Sequence, residues 1–414
     1  MAIGSARFGR LPVTFAAFRY PNYRRWFIGQ ALSLMGTWMQ GVAQGWLVYE
    51  LTGSRLALGV ISFVSSIPTL FFMLPAGAIA DRVSRRKMLI ATQTAMMICA
   101  FIMAFLAGTK LLLVWHIAFL GFLLGVANAF DSPARLALTV ELVDDRRDLQ
   151  NAIALNSTMF NLARVVGPAI GGVILAAVGA AWCFFLNGVS FVAVLIALAE
   201  MRLNEPIQPP RTRHFLAEIG DGLRYVRDAS VIRVLVAMVS VLSIFGFSYS
   251  VLMPAYAVDV LGVGEAGLGA LSAAAGVGAL IGSLAVASLT HSRRKGWQLT
   301  FGSFLFPIAL LAFAFSRSFL LSLVILVFVG FGFIMQNTTS NTLVQALVPD
   351  HLRGRVMSVY ALMFMGTMPI GSLVAGSVAQ AVGTTATVLL GALVTLAFAV
   401  YVFIFQPQVR RLES

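Results

Sequence analysis

Long apolar runs alternate along this chain with short polar or turn-like clusters. Most runs reach the roughly 20 residues that a helix needs to cross a bilayer core about 30 Å thick. The interruptions read LTGSR, ADRVSRRK, AGTK, DDRRD, VGAAW, HSRRKG, FSRS and PDHLRGR. The pattern predicts twelve membrane spans, at residues 25–50, 56–80, 87–108, 111–141, 149–178, 181–201, 231–259, 266–290, 297–315, 318–348, 354–382 and 385–406. A transmembrane barrel would show short segments of strict alternation instead, and none occur.

The longest polar stretch falls near the middle. NEPIQPPRTRHF is followed by LAEIGDGLRYVRDA, in which Leu216, Ile219, Leu223 and Val226 recur at helical spacing, so a short surface helix is expected there. The chain thus divides into an N-terminal six-helix bundle (1–201), a linker (202–230) and a C-terminal six-helix bundle (231–414). The expected fold is an all-α integral membrane protein, twelve transmembrane helices in two bundles. The halves echo one another. GPAIGGVILAAVG at 167–179 parallels GSLVAGSVAQAVG at 371–383, LVDDRRDLQNA parallels LVPDHLRGRVMS, and SRRK occurs at 84–87 and 292–295. Internal repeats of this kind mark secondary transporters, whose substrate site lies between the repeats near the midplane.

Composition agrees: 59% of residues are hydrophobic and 11% charged, against about 25% charged in soluble domains. The net charge of +13 has a topological reading that makes nucleic acid an unneeded partner. Of 29 Lys and Arg, Arg135 and Arg164 lie inside spans, Arg55, Lys110 and Arg317 lie on one side, and the rest lie on the other. Positive charge collects in cytoplasmic loops, so both termini are expected in the cytoplasm and the chain in the inner (cytoplasmic) membrane. The first residues, MAIGSARFGRLPVTFAAFRYPNYRRW, lack the apolar core of a cleavable signal and suggest an interfacial lead-in helix. Cys99 and Cys183 sit in apolar runs and His116, His214, His291 and His351 are scattered, so neither a disulfide framework nor a metal site is expected. No nucleophile–base pair and no phosphate-binding Gly-x-x-x-x-Gly-Lys-Ser/Thr loop occurs. The expectation is a non-enzyme with no cofactor, no metal and no ATP drive. Its partners would be a small-molecule substrate, protons and the lipid bilayer, and it would act as a monomer.

Two motifs carry a family resemblance. GAIADRVSRRKML (77–89) joins spans 2 and 3, and ARVVGPAIGG lies in span 5. The first resembles the loop between helices 2 and 3 of the major facilitator superfamily, with Gly77, Asp81, Arg82, Arg85 and Arg86 in place and Ser84 replacing the second glycine. The resemblance implies a cytoplasmic gate: Asp81 facing helix 11, and Arg85 pairing with an acid at the end of helix 4, here Glu141. From the residues themselves, Gly77 should allow close helix packing. The second motif resembles the helix 5 signature of the superfamily's exporters, with Gly167, Pro168, Gly171 and Gly172 matching and Ala163 in place of the first glycine. Gly167 and Gly171 should give a flat packing face, and Pro168 a bend. The longer stretch from SPARLALTVELV to GAAW resembles the enterobactin-exporter and macrolide-efflux group. That resemblance implies export of a siderophore, a macrolide or a similar compound, and with it drug resistance. One departure stands out. The helix 4 arginine of many drug/proton antiporters would fall on Gly121.

Ionisable residues within spans cost at least about 2.5–3.5 kcal/mol each and are functional candidates by default. Asp131 and Arg135 lie in span 4 and Arg164 in span 5. From helical rise they sit about 15, 9 and 22 Å above the cytoplasmic end. The short connection makes spans 4 and 5 expected neighbours, with Asp131 as the partner of Arg164 or Arg135. Three readings stay open: a polar cluster that only fixes two helices; a protonatable Asp131 with Arg164 as a cavity cation for an anionic or phenolic substrate; or Asp131 and Arg135 as part of the gate. The second half has Gln336 and Ser340 at the matching positions. The polar run QNTTSNTLVQ in span 10 must face protein or water, which makes Gln336, Asn337 and Asn341 candidate cavity residues. Span 1 adds Trp38, Gln40 and Gln44, and span 7 adds Tyr249; for the aromatic residues ordinary packing is the competing account. Glu50, Asp259 and Glu265 read as solvated rims. The expected function is proton-antiport efflux of a hydrophobic drug or siderophore-like molecule by alternating access. The rivals are a proton-coupled importer of a small organic solute and a non-transporting scaffold or sensor.

Overall fold

A computed structural model describes residues 13–80, 83–143, 145–201, 215–289 and 294–412. The first half runs through α1 (Pro21–Thr52), α2 (Arg55–Ala80), α3 (Arg85–Gly108), α4 (Val114–Glu141), α5 (Arg146–Val178) and α6 (Ala180–Glu200). A surface helix, α7 (Phe215–Asp228), leads to the second half. There one span is assembled from α8 (Ser230–Val241), a π-helical turn (Leu242–Gly246), α9 (Ser248–Val251) and α10 (Met253–Asp259). It is followed by α11 (Glu265–Ser288), α12 (Lys295–Phe315) and α13 (Phe319–Leu347). Another span is broken at Gly366 into α14 (Asp350–Met365) and α15 (Met368–Val382), before α16 (Thr384–Phe405) and the short α17 (Pro407–Arg410).

Eleven of these segments are long and apolar enough to cross a membrane. α1 is long enough but falls outside that set. Its glutamines and glycines reduce its apolar character. It can carry them because it packs among α5, α6, α2, α4, α10 and α11, with Gln30 and Gln40 buried in those contacts. The apolar residues left exposed, such as Phe71, Leu136 and Leu320, suit the hydrocarbon core that would surround the bundles.

The start of α1 and the end of α16 share one end of the bundle, called the termini end below, and the opposite end is called the far end. Far-end turns recur in the two halves. Gly53 ends α1 and Gly262 follows α10, at φ of 57° and 62°. Gly179 ends α5 and Gly383 ends α15, at φ of 88° and 91°. Left-handed backbone is open to glycine at no steric cost, so these turns need glycine. At the termini end, side chains cap the helices: Ser84 Oγ accepts from Lys87 N and Asp145 Oδ1 accepts from Arg147 N. α7 docks on α14, with Gly222 against the Arg355 backbone and Asp221 2.8 Å from Arg355 Nη1.

The halves meet along two seams. α2 crosses α15, and α5 crosses α11. At the first seam, a Cβ on Gly59 would lie 2.8 Å from Gly376 Cα. At the second, a Cβ on Gly172 would lie 2.7 Å from Gly269 Cα. Glycine here brings backbone against backbone. The four glycines form two repeat pairs. Gly172 and Gly376 are equivalent in the repeated GPAIGGVILAAVG and GSLVAGSVAQAVG segments, and Gly59 and Gly269 sit in the matching LGVIS and LGALS.

Candidate functional site

Between the halves lies a cavity of about 410 Å³. Its roof toward the far end is built from repeat-related positions: Leu58 and Leu268, Ser62 and Ser272, Pro168 and Ser372. Trp38, Gln44 and Gly45 contribute from α1, and Phe247, Tyr249 and Met253 from the broken span. Arg164 projects into it from α5, and its counterpart by the same 167–179/371–383 register is Met368. No acidic side chain is among the described lining residues.

Arg164 is fixed by close packing of its own backbone. A Cβ on Gly276 would come within 2.7 Å of the Arg164 carbonyl oxygen, so α11 passes directly over it. The guanidinium carbon lies 5.7 Å from the Trp38 ring centroid and 5.8 Å from that of Phe333. One ring comes from each half, and both contacts are cation–π attractions. Phe333 belongs to a wall of rings with Phe247 at 5.8 Å and Phe306 at 5.9 Å.

A polar clasp joins the halves at the far end. Arg55 Nη2 lies 2.6 Å from Asp259 Oδ2, and Arg55 Nε donates to Thr384 Oγ1 at 2.8 Å. The Tyr49 hydroxyl donates to the same carboxylate at 2.7 Å. Gln380 Oε1 accepts from the backbone of Arg55 at 3.1 Å and of Leu56 at 3.4 Å, which caps the start of α2. The rim assigned to Asp259 from sequence is therefore corrected. Its position just before a span boundary concealed a partner some two hundred residues away.

Asp131 is 1% exposed. Its Oδ1 accepts from Thr92 Oγ1 at 3.0 Å and Gln93 Nε2 at 2.8 Å, and its Oδ2 lies 3.8 Å from Arg135 Nε. The partner is thus Arg135 on the same helix, together with two α3 side chains, and not Arg164. The expectation that spans 4 and 5 are close neighbours fails because α4 packs on α2 and α3, whereas α5 packs on α1 and crosses to α11.

In the loop motif, Arg85 pairs with Glu141. Arg86 donates to the Leu198 and Ala199 carbonyls at 2.6 and 2.8 Å, closing the end of α6. Asp81 and Arg82 lie outside the described residues. Gly77 is not a packing contact, since a Cβ there would meet nothing within 4 Å. In the helix 5 motif, Gly167 and Gly171 lie against the Met35–Met39 turn of α1, while Gly172 turns to α11. The departure at Gly121 has a steric cause: a Cβ there would sit 2.3 Å from Ser65 Oγ.

Of the expected cavity residues, Trp38, Gln44 and Tyr249 line the space. Gln40 does not; it is buried, accepting from Asn187 Nδ2 at 2.6 Å, and it fastens α1 to α6. Gln336, Asn337 and Asn341 are also off the cavity. Gln336 is packed against Gly302 of α12, Asn337 accepts from the Tyr360 hydroxyl through its backbone carbonyl at 3.1 Å and its side-chain oxygen at 3.4 Å, and Asn341 accepts from Gln345 at 2.5 Å. The polar run does face protein, as its chemistry requires, but a different part of it. Phe333 and the serines of the roof were missed. The repeated Leu-Gly-x-x-Ser was the available signal for Ser62 and Ser272.

Two pseudo-symmetric six-helix bundles around a shared central cavity define a major facilitator transporter, and not an enzyme. The chain belongs to the transmembrane secretion effector family of that superfamily, which it matches over residues 12–414. It is 30% identical over 386 residues to the multidrug efflux pump Tap of Mycolicibacterium fortuitum, covering 90% of this chain and 92% of the relative. It is 26% identical to the staphyloferrin A transporter of Staphylococcus aureus (87% and 90% covered) and 28% identical to the enterobactin exporter EntS of Shigella flexneri (82% and 81%). Its fold matches the crystal structure of a POT family transporter in complex with 5-aminolevulinic acid, with a TM-score of 0.76 at 12% identity over 94% and 96% of the two chains. It is a multi-pass membrane protein and a secondary transporter related to efflux pumps.

Proposed function

We propose that the chain exports a hydrophobic drug or siderophore-like molecule across the cytoplasmic membrane in exchange for protons. The observation that carries this is the cavity between the halves beneath a clasp made by residues of both. Alternating access needs a central site and a barrier that opens on one side at a time. With both termini in the cytoplasm, as the loop charges favour, the clasp is the outer barrier and the cavity is shut to the outside. The export direction is supported by the helix 5 motif and by the relatives named as an efflux pump and an exporter.

Asp131 is the proposed proton site. As a carboxylate it accepts two hydrogen bonds and faces Arg135. A proton would cancel the attraction to Arg135 and replace an acceptor with a donor on Oδ2. That changes how α4 holds α3 at the depth where the bundles must rock. The gate residues Arg85 and Glu141 lie on the same pair of helices, so a change at Asp131 has a path to them.

Everted membrane vesicles test the reading. The neutral dye Nile red serves as the drug probe, with vesicles lacking the protein as the control and a parallel screen of a deletion strain for drug sensitivity and siderophore secretion. Acidifying the vesicle lumen should drive uptake that collapses with nigericin. Uptake indifferent to the gradient, or present only in right-side-out vesicles, would count against it.

A further inference from the structure

Arg164 presents a half-buried cation to the cavity, with no counter-charge among the described residues. Among the described residues, the faces of Trp38 and Phe333 lie against it, the Tyr249 side chain is near enough to interact with its charge, and no carboxylate stands beside it. Ring faces attract the charge but cannot accept the five in-plane N–H donors of a guanidinium. The repeat-related position opposite Arg164 is Met368, so the cavity is charged on one wall only.

We infer that the cavity binds organic anions, with a carboxylate or phenolate on Arg164 and an apolar, preferably aromatic body along Trp38, Phe247 and Met253. This names the substrate class of the transport site proposed above and rests on that reading. A planar carboxylate suits the guanidinium fork bidentately. With no acid among the described lining residues, an organic cation would meet a like charge and no compensating partner, a juxtaposition that costs several kcal/mol at an interface. The volume of about 410 Å³ lies within the range of sites for drug-sized ligands, roughly 300–1,000 Å³. The one-sided charge also fixes orientation, with the anionic head toward α5 and the apolar body toward the second half.

The test is binding of an isosteric series to the full chain in nanodiscs without any gradient: 2-naphthoate, 2-naphthamide and 2-naphthylmethylammonium, followed by tryptophan fluorescence. Naphthoate should bind at least about tenfold tighter than the amide or the ammonium, which corresponds to about 1.4 kcal/mol. R164Q should remove that preference and R164K should keep part of it. Absence of saturable naphthoate binding, equal or tighter binding of the ammonium, or an unchanged preference in R164Q overturns the inference. The wild-type comparison stands even where a variant fails to fold. Anion preference without proton-driven flux would leave this inference standing and remove the antiport reading; the opposite pair of results would do the reverse.

Discussion

Arg55 and Asp259 are 204 residues apart in the chain and 2.6 Å apart in space. One opens the second span and the other closes the seventh, so their ion pair ties the first half to the second. Both side chains are partly exposed, at 28% and 25%, which limits the pair to about 1 kcal/mol. A conformational equilibrium is sensitive to that much, because 1 kcal/mol changes a population ratio roughly fivefold.

Asp259→Asn should therefore favour opening at the far end. The probe is Val48→Cys, a buried cavity position beneath the clasp, in a chain whose native Cys99 and Cys183 are both buried. Labelling by an impermeant maleimide from that side should rise about fivefold. Labelling at the wild-type rate would show that the seams alone hold the barrier.

Asp131→Asn keeps the size of the side chain and removes the charge. The carbonyl oxygen of asparagine can still accept from Thr92 and Gln93, so folding should survive. Proton-driven flux should fall to background while substrate binding stays within about twofold, because Asp131 does not line the cavity. Flux at the wild-type level would exclude Asp131 as the coupling group.

Gly376→Val tests the seam. A Cβ there would stand 2.7 Å from Gly59 Cα and 2.9 Å from the Arg55 carbonyl oxygen, and backbone atoms cannot step aside. Spin labels at Leu56 and Val382 should report a longer far-end distance than in the parent. An unaltered distance distribution would mean that α2 and α15 adjust without parting.

Gln40→Leu separates structure from recognition. It strands Asn187, whose amide now donates to Gln40 at 2.6 Å, so stability should drop by about 1–3 kcal/mol. Affinity for 2-naphthoate should stay put. A large affinity loss with normal stability would return Gln40 to the cavity.

The spans were legible because membrane crossing imposes one long period on the sequence. Every predicted boundary falls within a few residues of the helix it describes. The site was legible only in part, for a physical reason. An intramembrane charge identifies itself by its cost, so Asp131, Arg135 and Arg164 stood out. Which charge meets which depends on helix order in the bundle, and neighbours in sequence, such as spans 4 and 5, need not touch. Polar amides were misjudged likewise: Gln40 and Gln44 are one turn apart, yet one bonds to α6 and the other faces the cavity. Asp259 was misread because nothing local in the chain points to Arg55.

The glycine crossings of the two seams bear on speed more than on strength. Side chains that interlock must find new rotamers each time two surfaces part, and each such step adds friction. Where Gly59 faces Gly376 and Gly172 faces Gly269, there are no side chains to rearrange. The bundles can separate there as smooth rods, and the repeat places one such bearing on each side of the cavity. Turnover in this protein should then be paced by breaking the polar clasp and releasing cargo, with the helices themselves adding little delay.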